Sequence, residues 1–233
     1  MTAAGLGQLD LAALLCVDPK TVERWLAGRV PHPKTREALA RLVERDIDVL
    51  WPSAGRTQHR RQVGGEVRTF YAHRWNVPRE SWVQFFSRPE NEIDILVYGG
   101  LFLAEDAGVV QLLAEKAKSE VPIRLLAGDP GCAQVAQRGT DERIGDTTGA
   151  RIRNALALLR PLTDLDGVSL RLHSTILYNS IFRADDEMLV NPHIYGLPGS
   201  NAPVLHVRGA ENATLFDAYM DSFESVWAAA IPA

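Results

Sequence analysis

The chain has 233 residues, 46% hydrophobic and 23% charged, with a formal net charge of −4. That length suits one large or two small domains with a packed core, and the composition excludes a fully disordered chain. No run approaches the roughly 18 apolar residues a membrane span needs, and residues 1–10 show no basic stretch followed by an apolar one, so neither a membrane protein nor a secretory leader is expected. Cys16 and Cys132 fit no CxxC spacing, and two such thiols without a leader read as a cytoplasmic chain. Charge is uneven. Residues 1–62 carry ten Lys or Arg against seven Asp or Glu, a balance of +3 that leaves −7 for the rest. A basic front end on an acidic body predicts that only the front end meets a polyanion.

In chain order, residues 8–16 read as a short helix with Leu9, Ala12, Ala13 and Leu15 or Cys16 on one stripe. Asp18 is a good N-cap and Pro19 a good first helical residue for a second helix, which Gly28 ends. Pro31-His32-Pro33 breaks the chain again. Residues 34–45 read as a third helix with Ala38, Leu39, Leu42 and Val43 inward, and residues 47–51 as a last short turn. Residues 52–55 look like a boundary, and polar, basic residues 56–65 like a linker.

Beyond residue 65 the signals alternate. Strands are expected at 93–98, 121–127, 168–172 and 204–207, and helices at 107–119, 150–159 and 215–230. Residues 180–183 and 188–190 flank Asp185-Asp186 as a hairpin. The alternation implies right-handed crossovers and a largely parallel sheet covered by helices.

Two short helices joined by a tight turn fit a DNA-reading layout in which the second helix enters the major groove. Val22 with Trp25 or Leu26 would face the first helix, leaving Lys20, Thr21 and Arg24 outward near the end that meets base edges. Arg29, His32, Lys34 and Arg36 lie just beyond and would grip phosphates. The run LAALLCVDPKTVERWLAGRVPHPKTREALARLV resembles the helix-turn-helix of xenobiotic-response-element (XRE, Cro/C1-type) regulators, through its V-D-P-K-T-V-x-R-W segment and G-R-x-P-H-P before the next helix. The resemblance covers about 45 residues. It implies a further helix ahead of residue 8, where seven residues stand.

The stretch RLHSTILYNSIFRADDEMLVNPHIYG, residues 171–196, resembles the active-site strand and hairpin of the phospholipase D superfamily, whose motif is H-x-K-x4-D followed by a Gly-Ser or Gly-Thr pair. The resemblance implies an α/β fold, a histidine nucleophile, a lysine clamp for phosphate, and a second copy of the motif supplied by dimerisation. Here His173 keeps the first position, but Thr175 stands at the lysine position and Ser180, beside Asn179, at the aspartate position. A hydroxyl can hydrogen-bond a phosphate but cannot balance its charge, and losing one electrostatic stabiliser costs about 10²–10³ in rate. A ligand pocket is therefore expected rather than an active esterase. Arg143, Arg151, Arg153, Arg171 and Arg183 are candidate replacement cations; Arg151 and Arg153, two apart, do not share a helix face. Residues 138–146 read as a polar loop long enough for a lid. Tyr98, Asp129, Tyr178, Asn191, His193 and Tyr195 complete the candidate pocket, at the strand ends where open α/β sheets bind ligands. Asp185, Asp186, His173 and His193 lack metal-ligand spacing, no GxGxxG or P-loop run occurs, and Ser174 and Ser180 lack a GxSxG elbow. No metal and no cofactor is expected.

The fold expected is multidomain: a small all-α helix-turn-helix domain at 1–52, a linker at 53–65, and a phospholipase-D-like α/β sandwich with a mostly parallel sheet at 66–233. The function expected is a DNA-binding transcriptional regulator acting as a homodimer on duplex operator DNA. Its second domain would sense a small, phosphate-bearing effector or hold the dimer. The alternative is a homodimeric phosphodiesterase or nuclease acting through His173.

Overall fold

The structure, a computed structural model, describes residues 7–15, 17–42, 50, 65–210 and 213–233. It divides into two compact units, residues 1–64 and 65–233. Expectations for Cys16, Val43, the turn at 47–51, the boundary at 52–55 and most of the linker lie outside the described residues.

The first unit contains α1 (Gln8–Leu14), α2 (Pro19–Leu26) and α3 (Pro33–Leu42). The Asp10 carboxylate accepts from the Gly7 N–H at 2.9 Å and opens α1. Asp18 accepts from the Lys20 N–H at 2.8 Å, so α2 starts with a capping carboxylate and a proline that has no N–H to leave unpaired. Leu11, Ala12, Val22 and Leu39 form the core, with Leu15, Val17, Trp25 and Leu42 against it. Three inward assignments do not hold: Leu9, Ala13 and Ala38 are exposed. The short helices bury a stripe one or two residues wide, too narrow to include them.

The second unit is α/β. Its eight strands are β1 (Val67–Tyr71), β2 (Ile93–Leu96), β3 (Ile123–Gly128), β4 (Val168–His173), β5 (Asn179–Ala184), β6 (Glu187–Pro192), β7 (Val204–Arg208) and β8 (Ile231–Pro232), in the order β1-β7-β6-β5-β2-β3-β4-β8. Among the described residues, β2–β3 and β3–β4 pair in parallel and the other five pairings are antiparallel. The sheet is therefore mixed, not mostly parallel. Helical crossovers make the parallel half, while the β5–β6 hairpin folds back beside β2 and turns the other half antiparallel.

The helices of this unit are α4 (Arg79–Ser87), α5 (Leu101–Ala104), α6 (Ala107–Lys118), α7 (Ala133–Asp141), α8 (Thr147–Thr163) and α9 (Thr214–Ala229). One sheet face packs Ile93, Ile95, Ile123, Leu125 and Phe182 against Trp82, Phe85, Phe86, Val109, Leu113 and Leu162. The other packs Leu96, Leu126, Ile181, Met188 and Val190 against Phe216, Phe223 and Val226 of α9. Strand alternation sends Asp94 to this second face, fully buried. Its register partners are Arg124 on β3 and Arg183 on β5. Arg124 donates to it at 2.7 and 2.9 Å and Arg183 at 2.9 Å, and Arg124 also reaches Glu224 on α9. Arg183 is thus spent on structure, paired with Asp94 and Glu92, and is not a spare cation for a ligand.

The expected lid at 138–146 is instead the end of α7 and the turn into α8. A Cβ at Gly139 would lie 2.0 Å from the Gly145 carbonyl oxygen, so only glycine lets that turn fold back against α7. No helix among the described residues is long and apolar enough to cross a membrane.

Candidate functional site

A cleft of about 440 Å³ opens beside the carboxyl end of β2. Gly100, with φ +62°, ends the strand's exit turn and starts α5, which brings Phe102 to the rim. The lining includes Tyr98, Arg74, Phe102, Glu105, Arg138, Glu142, Thr148, Arg151, Ser180 and His193. A second cleft, of about 510 Å³, shares Tyr98, Arg138 and His193 and adds Tyr178, Tyr195, Gln137 and Asp141.

The common wall is a chain of hydrogen bonds. The Leu177 N–H donates to the Tyr98 hydroxyl at 2.9 Å. Nδ1 of His193 lies 3.1 Å from the Leu177 carbonyl oxygen, and Nε2 lies 3.0 Å from Ser180 Oγ. A carbonyl can only accept, so Nδ1 carries the hydrogen and Nε2 accepts from Ser180. Burial is the main reason His193 is held down at about 4, with the Arg138 and Arg74 charges adding to it against the Leu177 hydrogen bond; the ring is neutral at pH 7. Its ring stacks on Tyr98 at 5.7 Å between centroids. Burial raises the Tyr98 phenol above its usual range, so that hydroxyl stays protonated.

His173 ends β4 behind Tyr98, with 2% of its surface exposed and no place in the lining of either cleft. Nε2 lies 3.1 Å from the Val97 carbonyl oxygen, and Nδ1 accepts from the Thr175 N–H at 3.3 Å. Burial lowers its pKa, opposed by those two backbone bonds. Both ring nitrogens are engaged by backbone.

The cations differ in how they are held. Arg138 pairs with Glu142 and donates to the Leu197 carbonyl at 3.1 Å. Arg74, on a 3-10 turn at Arg74–Asn76, lies over the Phe102 ring at 4.0 Å. Among the described residues its guanidinium has no ion pair and no hydrogen bond, and burial lowers its pKa to about 10 against the pull of Glu142. Arg151 is exposed on α8.

Of the expected pocket residues, the structure brings Tyr98, Ser180 and His193 to the first cleft and Tyr98, Tyr178, His193 and Tyr195 to the second. The others stand elsewhere. Thr175 meets His173 through its backbone N–H and lines neither cleft, and Asp129 folds its carboxylate onto the Gly131 N–H at 2.8 Å. Asn179 and Asn191 lie on β5 and β6 outside both linings; Asn191 is buried, and its Nδ2 donates to the Pro203 carbonyl at 2.7 Å. Arg143 sits exposed at φ +59° in the α7–α8 turn, and Arg153 is exposed on α8 outside both linings, where Arg151 takes the cleft instead. Arg171 donates to the Trp227 carbonyl at 2.9 Å. Asp185 accepts from the N–H groups of Glu90, Asn91 and Glu92 and belongs to the hairpin tip. No cluster of metal-ligating side chains occurs among the described residues.

The sequence reading missed Arg74, Arg138 and Thr148. A lone Arg beside Trp75 is the one local mark of Arg74, since it reaches the cleft through a long-range bond, its N–H donating to the Ala202 carbonyl at 2.8 Å.

In the first unit, Lys20, Arg24, Arg29, His32 and Lys34 are exposed and Thr21 is half-buried. Arg36 departs from the expectation, with 7% of its surface exposed. A buried guanidinium does not grip a phosphate, so Arg36 leaves the candidate DNA-contact set.

No protein-family model matches the chain, and no curated protein does. Solved structures similar to it include three that follow. Nuc from Salmonella typhimurium, a phospholipase D family member, is 12% identical with a TM-score of 0.41 over 66% of this chain and 90% of that one. NucT from Helicobacter pylori is 8% identical with a TM-score of 0.42 over 66% and 89%. TrmBL2, an archaeal chromatin protein, is 11% identical with a TM-score of 0.43 over 93% of this chain and 72% of that one.

Proposed function

We propose that the chain is a DNA-binding transcriptional regulator of the XRE type, with a phospholipase-D-like second domain that takes a small-molecule effector or holds a homodimer. In this reading residues 1–52 read the operator, 53–65 link, and 66–233 sense. One observation carries it. Helix α2 buries Val22 against Leu11 and Leu39 while Lys20 and Arg24 stand in solvent on its other side. A short helix anchored on one side and basic on the other is what major-groove entry requires. Lys20, Thr21 and Arg24 are the base-reading candidates, and Arg29, His32 and Lys34 the phosphate contacts. An effector would act by binding one arrangement of two DNA-reading units better than another. Selection of genomic fragments by the purified full chain tests the reading. Recovered fragments that share a two-fold-symmetric sequence support it, and no enrichment over input rejects it.

The phosphodiesterase reading has one observation in favour: His173 closes β4 directly behind the cleft wall, in contact with Tyr98. It needs the imidazole to leave two backbone hydrogen bonds and pass Tyr98 before it can attack phosphorus. The sealed ring counts against His173 as a nucleophile in this arrangement and carries no weight for DNA binding.

A further inference from the structure

Arg74 is anomalous in this fold. Arg124 and Arg183 are each matched to carboxylates, and Arg138 is matched to Glu142. Arg74 is not, although it is buried enough for its pKa to fall to about 10. The face of Phe102 gives it a cation–π contact but accepts none of its planar N–H fork in the way an oxyanion does. Taking a guanidinium partly out of water without an anion costs free energy that the protein recovers only when an anion arrives.

A second, independent observation points into the same cleft. Thr148 lines it with 8% of its surface exposed, and its Oγ1 is buried with no hydrogen-bond partner among the described residues. Buried hydroxyls are nearly always paired; this one faces Gly139 with no partner among the described residues, and a turn about χ1 to threonine's other helical rotamer would offer it to a ligand oxygen in the cleft. The close turn at Gly139 and Gly145, which tolerates no side chain at Gly139, holds Thr148 there. With Arg138 and Glu142 closed on each other, the lining is left with Arg74 and Arg151 against Glu105. The cleft is net cationic within a second unit whose own charge is acidic.

We propose that Arg74 and Thr148 form the anchoring subsite for the oxyanion of a small organic effector, with the guanidinium fork and the hydroxyl both donating to its oxygens. The inference deepens the sensing role above and rests on it. Arg151, exposed at the mouth, draws the anion in. The carboxylate of Glu105 then faces the rest of the ligand, where it accepts from its hydroxyl or amine groups. The effector class is thus a small molecule with one anionic oxygen group and hydrogen-bond donors on its body. A cleft of about 440 Å³ has room for that body as well as for the anion.

The test uses the full chain and three probes: sodium phosphate, sodium sulfate and glycerol 1-phosphate, each titrated against sodium chloride at equal ionic strength. Thermal melting and calorimetry are read on wild type, Arg74→Met and Thr148→Val. Wild type is expected to melt higher with at least one oxyanion at millimolar concentration. Arg74→Met is expected to weaken that binding by about ten- to a hundredfold, the scale of lost hydrogen bonds to a charged group. Without ligand, Arg74→Met is expected to melt at or above the wild-type temperature, because an uncompensated cation has been replaced by an apolar chain. A structural arginine would give the opposite shift, and that result overturns the proposal. Thr148→Val separates this cleft from its neighbour of about 400 Å³, which Arg74 also lines and Thr148 does not. Unchanged affinity in Thr148→Val places the anion elsewhere and overturns the subsite. No oxyanion response in wild type overturns it too. Binding of all three proteins to a random-sequence duplex is measured alongside. DNA binding without any oxyanion response rejects this inference alone, whereas oxyanion binding without DNA binding rejects the regulator reading alone.

Discussion

The backbone N–H of Thr175 donates to Nδ1 of His173 at 3.3 Å. That bond fixes the hydrogen on Nε2, which points at the Val97 carbonyl oxygen 3.1 Å away. The ring that the H-x-T spacing offers as a nucleophile is thereby folded into the strand ends as a structural bracket. The expected consequence is a stability effect without a catalytic one. His173→Ala should cost about 3 kcal/mol in urea unfolding, because a buried carbonyl and N–H lose their partner. Hydrolysis of bis(p-nitrophenyl) phosphate should be the same for wild type and variant. Turnover that vanishes with His173 would restore the phosphodiesterase reading.

Asp94 sets a second expectation. Its carboxylate is buried between two guanidiniums whose strands flank its own, and Glu224 completes the group. Removing the central charge leaves two arginines facing each other. Asp94→Asn should destabilise by about 3–5 kcal/mol, the usual cost of breaking a buried pair from one side. Chemical denaturation measures it, and a loss below 1 kcal/mol would mean water screens the group.

How much of this was legible beforehand depends on how local each cause is. Asp18 and Pro19 announce α2 because capping is a nearest-neighbour effect, and Asp185-Asp186 announces the β5–β6 hairpin for the same reason. The antiparallel return of β5 beside β2 is a long-range choice with no local mark. β1 (VRTFY) is a mostly exposed edge strand, so it lacks the apolar run that marked β2. Helix α7 (AQVAQRGTD) buries only Val135 and Gly139, too thin a stripe to read. Tyr98, Ser180 and His193 could be placed at the site because they sit at strand ends. Arg74 and Thr148 could not, because only the folded chain shows that their polar atoms lack partners.

Acid should weaken the fold through His193. Its folded pKa, about 4, lies below the roughly 6.5 of a free imidazole. Between those values the unfolded chain binds a proton that the folded chain refuses. Its share of stability is therefore complete above about pH 6.5 and is lost as pH falls towards 4. His193→Gln should flatten that part of a stability–pH curve. An unchanged slope in the variant would assign the proton uptake to another group, with His173, also lowered by burial, next in line.

The exposed cations of the first unit should divide into two kinds. Arg24→Ala should cost about 1–3 kcal/mol on the selected sequence and little on random duplex. Lys34→Ala should weaken both alike and flatten the dependence of log K on log salt by about one unit. Fluorescence anisotropy across a salt series checks both, and equal effects of the two changes on both duplexes would refute the division of labour.

The most direct test of the account is competition. The full chain, bound to its best selected duplex at physiological salt, is challenged with random-sequence DNA. The account predicts that about a thousandfold excess of competitor or more is needed to displace half of the protein. Equal displacement by an equal mass of random DNA would contradict it.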